Sequence, residues 1–282
     1  MNQYIKYYTC KYDRVFKDIF LDSKDTSLLK GLLESILKIE INSITIQNSE
    51  LLEGNAYLRR KTLDVLLDTN QGIINIEINS SSDTYNKIRN FAFLSKVYSN
   101  QTLRGENYDS TQQFIQINLT YNLKDNCYNR TYYIQDETKK KFISNVKIVE
   151  FNMDKYVNLW YTDDKEKILA NKYLIMMNLP KDELEIFSKK DKVVKEYMNK
   201  LNRINEDPAF LNLMDYEEDN RRIMNSMKNA AIKKGLEEGR EEGREEGIKL
   251  VAKNLLKRNH NIEEISEITG LSIKELEVLK EE

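Results

Sequence analysis

Residues 63–79 read LDVLLDTNQGIINIEIN, two short aliphatic runs separated by a turn-forming DTNQG segment. Runs of this length, bounded by Asp, Asn and Gly, are typical of a β-hairpin with a loop of about four residues. If Asp68 pairs with Ile73 across this loop, Asp64 lies directly opposite Glu77 in the antiparallel register. The sequence therefore predicts two carboxylates side by side on one face of a sheet.

Side-chain alternation divides the second strand of this hairpin into a polar and an apolar face. Asn75 and Asn79 share the face of Glu77, and the other face is aliphatic: Ile74, Ile76, Ile78. Opposed like charges destabilise a sheet, and a buried carboxylate without a partner is costly, so a compensating group is expected. A divalent cation is one such group. The alternative is that Asp64 and Glu77 cap a solvated sheet face.

Composition limits the possible chemistry. The chain has 282 residues, 40% of them hydrophobic, which supports one large or two small domains with a real core. No apolar run approaches the ~18 residues of a membrane helix, and the start, MNQYIKYYTCKYDRVF, is too polar for a signal peptide, so we expect a cytoplasmic protein without a membrane partner. Cys10, Cys127 and His260 fit no metal-ligand spacing, and so few cysteines and histidines argue against disulfide scaffolds, zinc sites and histidine triads. Any catalysis must depend on carboxylates and lysines.

Basic residues cluster locally, although the net charge of −2 gives no global signature of nucleic-acid binding. Arg59, Arg60 and Lys61 precede the hairpin. The segment 84–104 contains no acidic residue and four basic ones, which we predict to contact DNA: Lys87, Arg89, Lys96, Arg104. This segment is predicted to be a helix because larger side chains recur at helical spacing: Ile88, Phe91, Ser95, Tyr98, Thr102. A solvated helix face is the alternative.

The remaining pattern predicts an α/β fold with one mixed central sheet flanked by helices and a helical C-terminal extension. The expected helices and strands alternate along the chain as helices Arg14–Phe20 and Ser27–Lys38, strands Ile44–Leu52, Phe114–Tyr121, Tyr128–Ile134 and Val146–Phe151, and helices from Asp163 onward. We expect a core at 1–152, a helical region at 153–232 and a C-terminal module at 233–282.

Five segments in this order resemble the Rpn family of recombination-promoting nucleases, also called PD-(D/E)XK nuclease family transposases. They are DRVFKDIF, KTLDVLLDTNQGIINIEIN, the basic helix leading into YSNQTLRGENY, the stretch containing Trp160, and a Gly-Glu repeat. The resemblance implies a restriction-endonuclease-like core and a magnesium-dependent DNA endonuclease linked to recombination or mobile elements. Manganese or another divalent cation could replace magnesium.

The resemblance also implies site residues. Asp64 matches the acid of the first motif and Glu77 the acid of the second, while Asp13 and Lys17 match the charged residues of the opening helix motif. Hard oxygen ligands suit magnesium, and Asp64, Glu77 and the backbone carbonyl of Ile78 are candidates to bind it. A metal-bound water would then attack the phosphorus. Asp13 completes this shell from the opening helix unless it is a solvated or N-capping residue.

One position departs from the family pattern. The wider superfamily has lysine two residues after the glutamate and this family usually has glutamine, whereas this chain has Asn79, which keeps the amide but is one methylene shorter. Lys61 or Lys17 is the candidate to supply a positive charge instead. The alternative function is a non-catalytic DNA-binding or regulatory relative, but a dead relative has little reason to retain both Asp64 and Glu77, which favours the enzyme.

The C-terminal segment KKGLEEGREEGREEGIKL places glycines at four-residue intervals: Gly235, Gly239, Gly243, Gly247. Four glycines cost a helix roughly 4 kcal/mol relative to alanine. The segment is therefore either a helix whose glycine stripe packs against another backbone or a charged, frayed linker. A function in assembly that depends on this repeat is a third possibility for the protein.

The last residues, EEISEITGLSIKELEVL at 263–279, predict two helices joined at Thr269 and Gly270. Their apolar side chains are Ile265, Ile268, Leu271, Ile273, Leu276 and Leu279. The second helix has Lys274 and Lys280 against four glutamates. A packing module that joins subunits of a homo-oligomer is therefore favoured over a base-reading helix.

Overall fold

The structure is a computed structural model that describes residues 6–47, 65–79, 84–101 and 111–281. The chain divides into two compact units, Met1–Phe210 and Leu211–Glu282. Among the described residues, no helix is both long and apolar enough to span a bilayer.

Six strands in the described residues form one mixed sheet, in the order β1-β2-β3-β4-β6-β5. They are β1 (Ile44–Gln47), β2 (Val65–Thr69), β3 (Gly72–Asn79), β4 (Phe114–Thr120), β5 (Asn129–Tyr132) and β6 (Val146–Asn152). Strands β1, β2 and β3 pair antiparallel, β3, β4 and β6 pair parallel, and β5 is an antiparallel edge strand. The predicted mixed sheet is confirmed.

The hairpin has the predicted register but a tighter turn. Asp68 lies opposite Ile73 and Thr69 opposite Gly72, so the turn contains two residues rather than about four. Gly72 permits this turn because its φ is +101° and a Cβ there would collide with the backbone oxygen of Gln113. The Thr69 hydroxyl also donates to the Gly72 carbonyl at 2.7 Å. The register is described from Val65 onward, and the predicted pairing of Asp64 lies outside the described residues.

Eight helices of the first unit lie within the described residues. They are α1 (Asp13–Phe20), α2 (Ser27–Leu37), α3 (Thr84–Ser99), α4 (Met153–Leu159), α5 (Lys165–Ala170), α6 (Lys172–Met176), α7 (Lys181–Ser188) and α8 (Lys192–Glu206). Local sequence explains several of their ends: Asp191, for example, begins α8 by accepting hydrogen bonds from the backbone of Val193 and Val194. Helix α1 buries Val15, Phe16, Ile19 and Phe20, which recur at helical spacing.

Helix α3 forms as predicted but buries a different face. Its buried side chains are Asn90, Phe93, Leu94 and Val97, whereas Ile88 and Phe91 are 64% and 48% exposed. The spacing of Ile88 and Phe91 thus predicts the helix, while the buried stripe is a second one with the same spacing. Spacing alone allowed both stripes, and the contact with the strands selects the one that contains the larger contiguous apolar group.

The second unit contains most of α9 (Pro208–Lys257), which runs as one helix of 50 residues through the glycine repeat. A Cβ added at any of the four repeat glycines would meet nothing within 4 Å. Helices α10 (Ile262–Thr269) and α11 (Ile273–Glu281) follow, and Gly270 ends α10 with a φ of 76°. The two predicted helices joined at Thr269 and Gly270, which together resemble a helix-turn-helix, are confirmed.

A small apolar core holds the end of the chain together. Ala252 of α9, Ile265 of α10 and Leu276 of α11 are fully buried against one another. Ile268 and Ile273, which were expected on the apolar face, are 63% and 44% exposed. Their outward position leaves the core small.

Candidate active site

One face of the sheet changes from apolar to polar along β3, β4 and β6. The parallel registers align three rows of side chains: Asn75, Gln116 and Ile148; Glu77, Asn118 and Glu150; Asn79, Thr120 and Asn152. All of the polar side chains in these rows are buried. Residues two positions apart on a strand share a face, and β3, β4 and β6 are parallel neighbours. Their polar side chains therefore form one continuous polar surface, hereafter the polar rows.

The same sheet face is apolar where these strands begin. Leu66, Phe114 and Val146 form a buried cluster with Phe93 and Leu94 of α3. This cluster positions α3 across the face. The N-terminal half of the helix consequently lies beside the polar rows.

Glu77 is the central carboxylate of the polar rows. It is 2% exposed, its Oε1 accepts a hydrogen bond from Asn75 Nδ2 at 3.1 Å, and its Oε2 lies 3.9 Å from Arg89 Nη2. The Arg89 side chain is itself 37% exposed, so solvent screens its charge. A solvated sheet face, the alternative considered for Glu77, is excluded by this burial.

The amide of Asn75 has its orientation set by its neighbours. Its Nδ2 donates both to Glu77 and to Gln116 Oε1, the latter at 2.9 Å. Because an ionised carboxylate only accepts hydrogen bonds, the nitrogen must point toward it. Asn75 Oδ1 is consequently buried, with no hydrogen-bond partner among the described residues.

Asn79 uses both ends of its amide. Its Oδ1 accepts hydrogen bonds from Arg89 Nη2 and Asn90 Nδ2, each at 3.3 Å, and its Nδ2 donates to Thr120 Oγ1 at 3.5 Å. Asn90 also donates to Asn118 Oδ1 at 3.3 Å. The asparagine that departs from the family pattern thus joins α3 to the sheet.

Glu150 is a second buried carboxylate, which sequence reasoning missed. It is 4% exposed, and it accepts hydrogen bonds from Thr120 Oγ1 at 3.3 Å and the Tyr132 hydroxyl at 3.2 Å. Lys87 Nζ lies 3.8 Å from its Oε2. Burial and the neighbouring Glu150 carboxylate raise the pKa of Tyr132, which keeps that hydroxyl protonated and able to donate.

A sequence signal for Glu150 did exist. The strand VKIVEFN contains an acid between Val149 and Phe151, in a run otherwise predicted to be buried. An acid at such a position requires partners, as the acid of IEIN does. The partners come from β4, β5 and α3, which are distant in sequence, so the strand alone did not identify the face.

The other predicted site residues fall into two groups. Asp64, Lys61 and Arg104 lie outside the described residues. Asp13 and Lys17 form an ion pair at 3.4 Å on α1, with side chains 48% and 30% exposed. Asp13 is the first residue of that helix and not its N-cap, which is Tyr12.

The predicted DNA-contacting residues of α3 also separate. Lys87 lies beside Glu150 and Arg89 beside Glu77, the two buried carboxylates. Lys96 lies in the last turn of the helix, where its side chain is exposed. Lys96 lies on about the same side of the helix as Arg89 but two turns, roughly 10 Å, farther along its axis, which separates it from the carboxylates.

The donor atoms beside Glu77 fit a hard divalent cation in their chemistry. They are carboxylate oxygens together with the buried carbonyl oxygen of Asn75 that no described group satisfies. Within the described residues, no three Asp, Glu, His or Cys side chains are grouped closely enough to hold a metal.

Comparison with known proteins agrees with this architecture. The model of a family described as PD-(D/E)XK nuclease family transposase matches residues 10–231. No curated protein and no solved structure matches the chain. The matched range contains the whole mixed sheet, its flanking helices α1 to α8 and the polar rows. The family is a nuclease family linked to transposition, and the fold is consistent with a restriction-endonuclease-like core. This chain belongs to the PD-(D/E)XK nuclease family transposases.

Proposed function

We propose that this protein is a divalent-cation-dependent endonuclease that hydrolyses DNA phosphodiester bonds during recombination or transposition. The observation that carries the proposal is Glu77, a carboxylate that is 2% exposed at the end of β3 and contacts both Asn75 and Arg89. Burying a carboxylate costs free energy even when it has partners, and a site that uses the charge of Glu77 explains its position better than a purely structural role does.

Glu77 and Asp64 would hold the cation, with the Ile78 carbonyl as a further oxygen donor. Asp64 directly precedes β2, whose described register matches the one that places it opposite Glu77. When bound, magnesium or manganese would supply a water of lowered pKa and polarise a phosphoryl oxygen. Asn75 orients the Glu77 carboxylate for this purpose through its hydrogen bond.

The basic residues would bind the phosphates of the DNA. Arg89 spans Glu77 and Asn79, and Lys87 lies beside Glu150, so both cations are positioned at the polar rows. Each can offset negative charge that develops on the phosphate. Lys96 and Arg104 would extend the phosphate contacts along the helix and beyond it.

Three further residues have proposed roles that rest on the family pattern. Lys61 would supply positive charge near Asp64, since it precedes that residue by three positions. Asp13 would serve as an additional acid and Lys17 as a further cation from α1. Their mutual ion pair at 3.4 Å would have to open for either role.

Plasmid cleavage tests the proposed activity. The purified protein should nick or linearise supercoiled plasmid with magnesium and not with EDTA. Asp64→Ala and Glu77→Ala should each abolish the activity, a loss of more than about 100-fold, whereas Asp68→Ala on the same hairpin should retain it. Unchanged cleavage by both site variants would refute the assignment. A protein that binds DNA and never cuts it would support the non-catalytic alternative.

A substitution at Asn79 also distinguishes an intact endonuclease site from the site of a relative that has lost activity. Had it been only a shortened substitute for glutamine, Asn79→Gln should raise cleavage. Its hydrogen bonds to Arg89, Asn90 and Thr120 support the opposite expectation, because a longer side chain must displace at least one of them. We expect Asn79→Gln to reduce cleavage by roughly tenfold. Increased cleavage would mean that asparagine at this position has partly inactivated the site.

We also propose that the C-terminal region forms a homo-oligomer. Small or apolar residues recur every four positions along α9: Met227, Ala231, Gly235, Gly239, Gly243, Gly247, Val251. The glycine positions are open, and the exposed pairs Lys233–Glu237 and Lys234–Glu238 contribute only tenths of a kcal/mol each. Packing against the stripe of a second copy would stabilise the helix. Two joined nuclease domains would suit a double-strand cut.

Full-length variants test this assembly without truncation. Gly239→Leu and Gly243→Leu should strengthen the helix, because leucine is a better helix former, and still shift the protein from oligomer to monomer in light scattering. Glu241→Leu, between these glycines, is the matched control. If the unmodified protein is monomeric at tens of micromolar, the repeat is a linker.

A further inference from the structure

Residues 128–142, hereafter the β5 arm, form an exposed extension of the sheet edge. Every residue of the arm is exposed. It nevertheless carries five large apolar or aromatic side chains: Tyr128, Tyr132, Tyr133, Ile134, Phe142. Phe142 is 84% exposed. A surface that concentrates such side chains on an edge strand marks an interaction site.

The β5 arm is a preformed hairpin. Gln135 lies opposite Lys141, and backbone hydrogen bonds flank this pair, from Phe142 to Ile134 at 2.9 Å and from Asp136 to Lys140 at 3.0 Å. The Asp136 carboxylate closes the turn. Hydrogen bonds from Thr138 and from the backbone of Lys140 lower the pKa of Asp136. This carboxylate is therefore ionised at neutral pH and accepts the hydrogen bonds that hold the turn.

The base of the β5 arm is attached to the sheet. The Asn129 side chain donates to the Tyr156 hydroxyl at 3.1 Å, and the Tyr128 and Tyr156 rings meet edge to face with centroids 5.3 Å apart. Ile143, directly after the arm, packs against the buried cluster beneath α3. The arm therefore presents its side chains from a fixed base, which limits the entropy lost when a ligand binds.

The two faces of the arm carry different groups. In the pairing of the hairpin, Ile134 and Phe142 lie opposite each other, and Tyr132 shares their face because it is two residues before Ile134. The Tyr132 hydroxyl contacts Glu150 at 3.2 Å. This face is thus an apolar path that begins at the polar rows. On the other face, Lys141 Nζ lies 4.0 Å from the centre of the Tyr133 ring.

The charge of the β5 arm is opposite to that of the whole chain. The arm has four basic residues, Arg130 and Lys139 to Lys141, against two acidic ones, Asp136 and Glu137, whereas the chain has a net charge of −2. Arg130 is paired with Asp125 at the base. The three lysines are at the tip, beside the exposed rings. Aromatic faces that stack on bases and cations that bind phosphates are the combination found in surfaces for unpaired nucleic-acid strands.

We propose that the β5 arm binds unpaired bases of the DNA strand next to the cleavage position. Phe142 and Tyr132, which share one face of the arm, stack on bases, and Lys139 and Lys140 contact the phosphates. A paired duplex hides the faces of its bases, so the arm favours single-stranded DNA or a junction between duplex and single strand. This proposal rests on the proposed function, which identifies the ligand as DNA. It adds that the nuclease would select single-stranded DNA or a junction over a paired duplex.

Binding without cleavage tests the arm separately from the nuclease activity. Fluorescence anisotropy in EDTA would compare full-length protein on a labelled 20-nucleotide single strand and on the matching duplex. We expect tighter binding to the single strand, and a loss of roughly tenfold in that affinity for each of Phe142→Ala and Tyr132→Ala. Binding to duplex should change by less than about twofold. Lys139→Ala should instead flatten the salt dependence of binding.

Matched variants separate stacking from unfolding. Phe142→Trp and Tyr132→Phe keep an aromatic ring and should retain single-strand affinity. Tyr161→Ala removes a ring that is 60% exposed elsewhere in the same unit, and it should have no effect. Because all substituted side chains are at least partly exposed, the melting temperature should stay within about 2 °C of the unmodified protein.

Three results would overturn the proposal. The first is unchanged single-strand affinity in both alanine variants, and the second is an equal loss in Tyr161→Ala. The third is loss of binding to vesicles of anionic lipid in Phe142→Ala with DNA binding intact, which would assign the arm to a membrane surface. An inactive nuclease that still shows the ring-dependent preference would refute the proposed function and leave the arm as a DNA-binding surface.

Discussion

The two halves of one sheet face in this protein share strands, register and covering helix, yet differ in chemistry. Where β4 and β6 begin, Phe114 and Val146 pack under Phe93 and Leu94 in an apolar cluster. A few residues later, the same strands carry Asn118 and Glu150, which are equally buried but hydrogen-bonded. Buried side chains in this protein are therefore not confined to the apolar core. Burying apolar surface stabilises the fold, whereas burying a carboxylate costs free energy.

This difference indicates a division of labour along the strands. The apolar half provides free energy by removing apolar surface from water and fixes α3 in place. The polar half removes two carboxylates, Glu77 and Glu150, from water, and hydrogen bonds and neighbouring cations offset this cost. The stability of the apolar half should fall when a side chain is shortened. The stability of the polar half should fall when a hydrogen-bonding partner is removed.

Phe114→Ala should give the largest effect on stability. The ring is fully buried in the apolar half, so its removal should lower the free energy of unfolding by about 3–5 kcal/mol. Urea unfolding followed by circular dichroism would measure the change. Phe142→Ala removes an identical ring that is 84% exposed and should cost less than about 0.5 kcal/mol. Similar losses for the two would contradict the assigned burial.

Asn90→Ala should have an intermediate effect, because it removes a partner from the polar half. Its amide donates to both Asn79 and Asn118, and both acceptors are buried. We expect a loss of about 2 kcal/mol and, under the proposed function, reduced cleavage through the displaced Asn79. Asn100→Ala, at an exposed position just after the same helix, is the control. A loss of stability no larger than that of Asn100→Ala would mean that the hydrogen bonds of Asn90 do not stabilise the fold.

Glu77→Gln should change stability by about 1 kcal/mol in the opposite direction. In EDTA the variant should be more stable, since a neutral amide at a buried position needs less compensation than a carboxylate. Addition of magnesium should stabilise the unmodified protein and leave the variant unaffected, because only a bound cation couples to folding. Melting temperatures with and without magnesium would reveal both effects. A less stable variant in EDTA would show that Arg89 and Asn75 fully compensate the charge.

Tyr132→Phe should have the smallest effect, about 0.5 kcal/mol. It removes one hydrogen bond to Glu150, which still accepts from Thr120 and lies near Lys87. Single-strand binding should persist because the ring remains. A double-mutant cycle with Glu150→Gln, measured by urea unfolding, would isolate the coupling between the two side chains. Coupling above about 2 kcal/mol would mean that this edge contact stabilises the site as strongly as the interior does.

Local sequence was sufficient to predict the hairpin and most of the secondary structure. The turn residues between Asp68 and Ile73 defined the register, and alternation placed Asn75, Glu77 and Asn79 on one face. These features depend on neighbours a few residues apart, and the chain encodes them directly. The same holds for the helix-turn-helix at Gly270, where a left-handed conformation requires glycine.

Local sequence did not determine which side of α3 is buried or that Glu150 joins the site. Two stripes of α3 had helical spacing, and the choice between them depended on Phe114 and Val146, which belong to later strands. Glu150 reaches the polar rows only because β4 and β6 pair parallel after long connections.

By itself, the sequence determined the register of the hairpin, the alternation that gives Glu77 its face and the glycine that ends α10. The tertiary structure decided that this face is buried, that Asn79 links Arg89 to Thr120, and that an exposed arm extends from the site. The physical reason is range: turns, alternation and caps follow from steric and hydrogen-bonding preferences within a few residues. Burial and the pairing of distant polar groups depend on which surfaces the whole chain brings together.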